Sequence, residues 1–178
     1  MNNFILLGLG RCGSNLVKKA LNQNTRIFMG GELYNRNVFP ESKNTDGEER
    51  AKQFYIENSG SAVEAVGFKL FLHQGQKGAA SSVWTYLQNC KDIRILRLTR
   101  KNYFERILSL EVARKTKKWA TRKVKEDAER DGIRIDHSIE WWQEKLVNDE
   151  NMNKELDGLF QDHFCAHYFY EDIVENWN

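Results

Sequence analysis

Three short stretches hold side chains whose types and spacing could do chemistry. The first is GLGRCGSNL, residues 8–16. Gly8 and Gly13 keep the phosphate-loop spacing GxxxxGK[ST], yet Ser14 stands where the lysine belongs and Asn15 where the magnesium-binding hydroxyl belongs. What the loop retains is a helix start with free backbone N–H groups, glycines that allow close approach, Arg11 as a fixed cation and Ser14 as a hydroxyl donor. It reads as an anion cradle that works without a metal. Cys12 within it is either an activated thiol or a small loop filler.

The second stretch is RILRLTRKNYFERILS, where an apolar run passes through Arg100 and Asn102 into a helix bearing Arg106 and Ser109. A cation at a strand end and a hydroxyl on the following helix can close on one phosphate from two sides. Arg106 alone carries a second reading, pairing with Glu105 or with the acidic C-terminal part of the chain. The third set is acid–base: Glu32 after the paired glycines 30 and 31, Lys69 inside the apolar run FKLF, and His73 beyond it. A lysine in an apolar strand is costly unless it is paired, which marks Lys69 as a functional cation. A lone histidine such as His73 is either a base or structural.

Positioning these residues calls for alternating strands and helices. Apolar runs at Phe4–Leu9, Arg26–Met29, Ala65–Leu72, Ile93–Thr99 and Ala166–Ile173 read as strands, with helix-like stretches between most of them. This pattern predicts an α/β fold: a mainly parallel central sheet of about five strands with helices on both faces, ligands binding at the strands' carboxyl ends. Phe39–Asp46, with the only proline, reads as a loop; Lys101–Phe160 reads as largely helical with a break near Asp131 and Gly132. The 178 residues, 40% of them hydrophobic, fit a single domain over 1–178 with a helical region at about 101–162.

Net charge is only +2, but it is unevenly spread. Residues 94–125 carry 12 Lys or Arg against 2 Glu, and residues 126–178 carry 4 basic against 15 acidic side chains. The basic block favours an anionic ligand or forms a solvated helix face; no aromatic-interleaved platform accompanies it, so nucleic acid is not expected. Three cysteines without ligand-like spacing, no secretory leader and no apolar run of membrane length predict reduced thiols, no stable membrane insertion and a cytoplasmic protein.

Taken together, GRCGSNL at 10–16, GELYN at 31–35, GFKLFLHQ at 67–74, RKNYFERILS at 100–109 and FYEDI at 169–173 resemble the sulfotransferases that use 3′-phosphoadenosine 5′-phosphosulfate. The likeness is to their P-loop-like fold and bacterial carbohydrate-type branch, and it spans Phe4 to Ile173. The resemblance implies that Arg11, Cys12, Gly13, Ser14 and Asn15 hold the 5′-phosphosulfate and that Arg100 with Ser109 holds the 3′-phosphate. It also implies Tyr170 near the adenine, although a core aromatic there is an equal reading. By the same resemblance Glu32 is the base, with His73 as the alternative, Lys69 and Arg11 assist the sulfuryl group and its leaving group, and no metal is used.

The acceptor would be a small molecule or carbohydrate hydroxyl. Trp119, Trp141 and Trp142 offer aromatic faces for a sugar or belong to the core, and Tyr34, Asn35 and Arg36 follow the base. Two features depart from the family pattern. The chain ends at Asn178 soon after FYEDI, which puts cofactor affinity in question, and Asn15–Leu16 replaces the threonine and tryptophan of many cytosolic relatives. A P-loop small-molecule kinase and a non-catalytic nucleotide-binding module are the alternative readings. Acceptor identity and oligomeric state are not legible in the sequence.

Overall fold

The computed structural model describes residues 2–35, 37, 45–119 and 133–176. Five strands form one sheet: β1 (Asn2–Gly8), β2 (Ile27–Glu32), β3 (Ala65–Phe71), β4 (Arg94–Thr99) and β5 (Cys165–Phe169). Their order is β2-β3-β1-β4-β5, and every pairing is parallel. The α/β fold with a parallel five-stranded sheet and flanking helices is thus as expected. Strands β1 and β3 are central and sealed on both faces, which is why they read as unbroken apolar runs rather than as an alternation.

The helices are α1 (Ser14–Leu21), α2 (Gly47–Glu57), α3 (Ser82–Asn89), α4 (Tyr103–Thr116), α5 (Ile139–Gly158) and α6 (Tyr170–Glu175). Three start at side-chain caps that satisfy otherwise unpaired N–H groups: Asp46 accepts from Glu49, Asn102 from Glu105 and Ser138 from Trp141. The α2 side chains Phe54 and Tyr55 pack on Phe68 of β3, while Asn15 of α1 reaches its neighbour Lys69. Adjacent strand residues point to opposite faces, so α1 and α2 cover opposite sides of the sheet.

Sheet order decides where a ligand can sit. The chain leaves β1 toward β2 on one side and leaves β4 toward β5 on the other, opening a crevice between the carboxyl ends of these two neighbours. The glycine loop after β1 and Arg100 after β4 flank that crevice.

Two expected boundaries shift. The last strand ends at Phe169 and residues 170–175 are helical, with Glu171 and Asp172 in the first turn where the helix dipole favours anions. The helix expected over 101–160 breaks far earlier than Asp131: α4 stops at Thr116, followed by Lys117 at φ 59, and residues 133–138 are not helical. The break at Asp131–Gly132 and most of the 39–46 loop lie outside the described residues.

Two buried arginines hold α5 in place. Arg97 of β4 donates to Asp157 at 2.9 Å and to Asn153 at 2.6 Å; Arg106 of α4 forks onto Asp149 and donates to the Gly10 carbonyl at 2.8 Å. Asp149, Asn153 and Asp157 lie four apart along one face of α5. The Arg106 pairing with the acidic C-terminal part is therefore what the structure adopts, with Glu105 turning to Arg100 instead. Because Arg106 and Asp149 are only 4% and 2% exposed, removing one partner strands a charge. Asp149→Ala is expected to lower unfolding free energy by about 3–5 kcal/mol in urea titration, far more than loss of a surface pair.

Candidate functional site

The loop after β1 is held in an unusual conformation. Arg11 has φ 73 and Gly13 φ 82, and positive φ in a non-glycine residue is strained unless the surroundings impose it. Gly13 is needed twice over: a Cβ there would lie 2.3 Å from Cδ2 of Tyr170, so the tyrosine ring rests directly on the loop. Arg11 reaches across to α4, where Nε and Nη2 donate to Ser109 Oγ at 3.0 and 2.9 Å, and Nη1 donates to the Trp119 carbonyl. Ser14 is the buried first residue of α1, and Cys12 is buried, which pushes its thiol pKa up despite Arg106 and Arg97. Burial and the raised pKa favour the loop-filler reading of Cys12 over an activated thiol.

Arg100, after β4, is joined to Tyr170 rather than to Ser109. Its guanidinium carbon lies 4.9 Å from the Tyr170 ring centroid, and its nitrogens face Glu105 and Glu171. Glu171 also accepts the backbone N–H of Lys101 at 2.9 Å and of Asn102 at 3.2 Å, so a carboxylate of the chain itself occupies the start of α4. Burial alone would raise the Glu171 pKa, but the Lys101 and Asn102 N–H groups and the Arg100 charge outweigh it and hold it low. Tyr170 covers the loop and is not a residue of the strand.

The acid–base set converges at the carboxyl edge on the α1 side. Between Met29 and Glu32 strand β2 bulges, so three steps along β2 match two along β3 and Glu32 pairs with Lys69. Without that extra residue Gly31 would face Lys69. The Lys69 ammonium, 4% exposed, donates to Asn15 Oδ1 at 2.7 Å and lies 3.8 Å from Glu32 Oε1. Burial lowers its pKa from the usual 10.5; Glu32 opposes this and Lys18 adds to it. The other Glu32 oxygen, Oε2, accepts from Asn35 Nδ2 at 2.7 Å and Gln74 Nε2 at 2.8 Å.

His73 stands apart from this network. Its side chain is exposed overall and its ring centroid is 6.1 Å from that of Phe71. Packing on its inner side lowers its pKa from the usual 6.5, with Glu32 acting the other way and the Arg106 and Arg114 charges adding to the fall. Tyr34 is not available to an acceptor: it is buried against Phe68 and its hydroxyl donates to the Gly47 carbonyl, while Arg36 lies outside the described residues. Trp142 packs on Phe104 and Trp141 stacks on His137 at 3.7 Å, leaving Trp119 as the exposed tryptophan of the three.

Sequence reasoning missed Gln74 and Glu171, and it set Asn35 beside the acceptor where the structure binds its amide to Glu32 Oε2. All three fall inside the motifs quoted, but nothing in their spacing says which partner each will meet. Among the described residues no group of three or more His, Cys, Asp or Glu is placed to hold a metal ion, and no helix is long and apolar enough to cross a membrane. No family model matches the chain, and no match to a curated protein reaches significance.

The contact between Tyr170 and the loop is directly testable. Gly13→Ala is expected to lower stability by about 1–3 kcal/mol in urea titration, through backbone strain plus the clash. In a Tyr170→Ala background the clash part should be regained, a non-additivity that strict additivity of the two substitutions would refute.

Proposed function

We propose that the chain is a metal-independent sulfotransferase that moves a sulfuryl group from 3′-phosphoadenosine 5′-phosphosulfate to a hydroxyl, with a carbohydrate or glycolipid as acceptor. One observation carries the reading: a carboxylate and a buried ammonium 3.8 Å apart at the carboxyl edge, tied by Asn15 to the first turn of α1. Sulfuryl transfer asks for those two groups beside an anion cradle. A cytoplasmic location, expected from the sequence, goes with this reading.

The loop and the start of α1 fit the 5′-phosphosulfate, whereas Arg100 faces Glu105 and Glu171, whose carboxylates a 3′-phosphate would have to displace. The strained loop and the start of α1 supply backbone N–H groups for the 5′-phosphosulfate, with Arg11, Ser14 and Asn15 around them. Arg11 already grips Ser109, so the side chains assigned to the two phosphates are in contact. Tyr170 offers a ring above the loop for adenine, backed by Arg100.

The donor supplies the sulfuryl group, and the chain does the rest. Glu32 Oε1 takes the proton of the acceptor hydroxyl as its oxygen attacks sulfur in line. Lys69 and Arg11 stabilise the negative charge that grows on the departing phosphate. Asn15 aims the ammonium.

The deciding experiment is calorimetric titration with 3′,5′-diphosphoadenosine and with AMP. The diphosphate is expected to bind about tenfold or more tightly, a preference worth about 1.4 kcal/mol that Arg100→Ala and Ser109→Ala should erase. Equal binding by the wild-type chain overturns the reading and returns the kinase and binding-module alternatives. Transfer of sulfur-35 from the donor to an oligosaccharide panel should persist in chelator, whereas a kinase would lose its turnover. Glu32→Gln should keep donor affinity and lower that transfer by about 10²-fold or more.

Lys69 adds a pH dependence. Its charged form is the useful one, and burial makes the proton easier to lose, so turnover should fall on the alkaline side beginning below pH 10.5. Lys69→Arg should flatten that limb in a kcat profile, because guanidinium stays protonated there.

A further inference from the structure

Gln74 is 3% exposed and immobilised from several directions. Its backbone N–H donates to the Phe71 carbonyl at 2.8 Å, and its carbonyl accepts from Trp84 Nε1 at 2.9 Å. Its side-chain Oε1 accepts the Phe71 backbone N–H at 3.2 Å. That last bond settles the amide orientation, since only an oxygen can accept there. The NH2 group is therefore the end that meets Glu32 Oε2 at 2.8 Å.

The consequence is an asymmetric carboxylate. Oε2 carries two amide donors, Gln74 and Asn35, whereas Oε1 faces Lys69 at a looser 3.8 Å. The two amides are donors only toward this oxygen and fix it in place. A proton arriving at Glu32 has its vacant lone pairs on Oε1.

We propose that Gln74 is a positioning residue that pins Glu32 through Oε2 and so keeps Oε1 turned toward the acceptor. The inference rests on the reading of Glu32 as the base. In the transfer step the acceptor hydroxyl gives its proton to Oε1 and its oxygen electron pair to sulfur. The sulfur–oxygen bond to the donor phosphate breaks, and that pair leaves on the phosphate. The charged or titrating groups facing Glu32 are Lys69 from β3, Lys18 from α1, which approaches Gly31, and His73 from the segment after β3.

The first readout is Glu32 itself and needs no acceptor. In protein labelled with carbon-13 at glutamate side-chain carboxyls, the Glu32 resonance at pH 7 is compared between the wild type, Gln74→Met and Gln74→Glu. Gln74→Met keeps the length and loses the donor, and should shift and broaden the Glu32 resonance while the other glutamate resonances stay in place. Gln74→Glu keeps the Phe71 bond and sets a carboxylate against Oε2, and should displace the Glu32 resonance further. Sulfur-35 transfer by Gln74→Met should fall about tenfold in kcat with the KM for donor unchanged. An unmoved Glu32 resonance in Gln74→Met, or wild-type kcat in Gln74→Glu, overturns the proposal; if Gln74→Met does not fold, the Gln74→Glu result decides. Equal wild-type affinity for 3′,5′-diphosphoadenosine and AMP would instead sink the sulfotransferase reading and leave these spectra as they are.

Discussion

The site is organised around one unfavourable placement, the ammonium of Lys69 inside a parallel sheet. A lysine 4% exposed in a strand packed on both faces must find partners or lose its charge. Asn15 comes from the first turn of α1 and Glu32 from the neighbouring edge strand, and both arrive at the same atom. Meeting that need fixes how α1 sits on the sheet. It also explains the β2 bulge, for without one extra residue a glycine would lie opposite Lys69. The chain thus accepts a buried charge beside the glycine loop at the sheet's carboxyl edge.

The second constraint is the set of buried arginines under α5. Pairs such as Arg106 with Asp149 add little net stability compared with apolar side chains of the same shape, because both ions lose their water. What they supply is register. With Asp149, Asn153 and Asp157 four residues apart, α5 can satisfy Arg97 and Arg106 together in only one axial position. Arg106 also holds the Gly10 carbonyl, so the same contacts that seat α5 stiffen the start of the loop. Arg11 and Ser109 then close the loop against α4 from its other end. The strain at Arg11 is sustained by these surroundings rather than by the loop itself.

Charge complementarity works within the chain before it meets any ligand. The start of α4 and Arg100 form an anion-binding corner, and Glu171 fills part of it. Its neighbour Asp172 pairs with Lys101, so the acidic first turn of α6 docks on the basic start of α4. That docking lays Tyr170 over Gly13. Part of the imbalance between a basic middle and an acidic C-terminal third is therefore internal pairing: Arg97, Arg100, Lys101 and Arg106 each meet an acidic residue beyond position 148.

Residue order alone determined the alternation of strands and helices, the glycine loop entering α1, and the positions of Glu32 and Lys69 near strand ends. These are local properties, set by apolar periodicity, glycine placement and the cost of a polar side chain in an apolar run. Sheet order, the bulge aiming Glu32, the grip of Arg11 on Ser109, the meeting of Gln74 with Glu32 and the fold of Tyr170 into a helix were decided by tertiary structure. Each depends on a partner far away in the chain: 98 residues separate Arg11 from Ser109 and 42 separate Gln74 from Glu32. Spacing along a sequence carries no information about which of several equally suited donors a folded sheet will bring to an acceptor. The sequence set Arg100 with Ser109, and only the packing of α4 over the loop gave that hydroxyl to Arg11 instead.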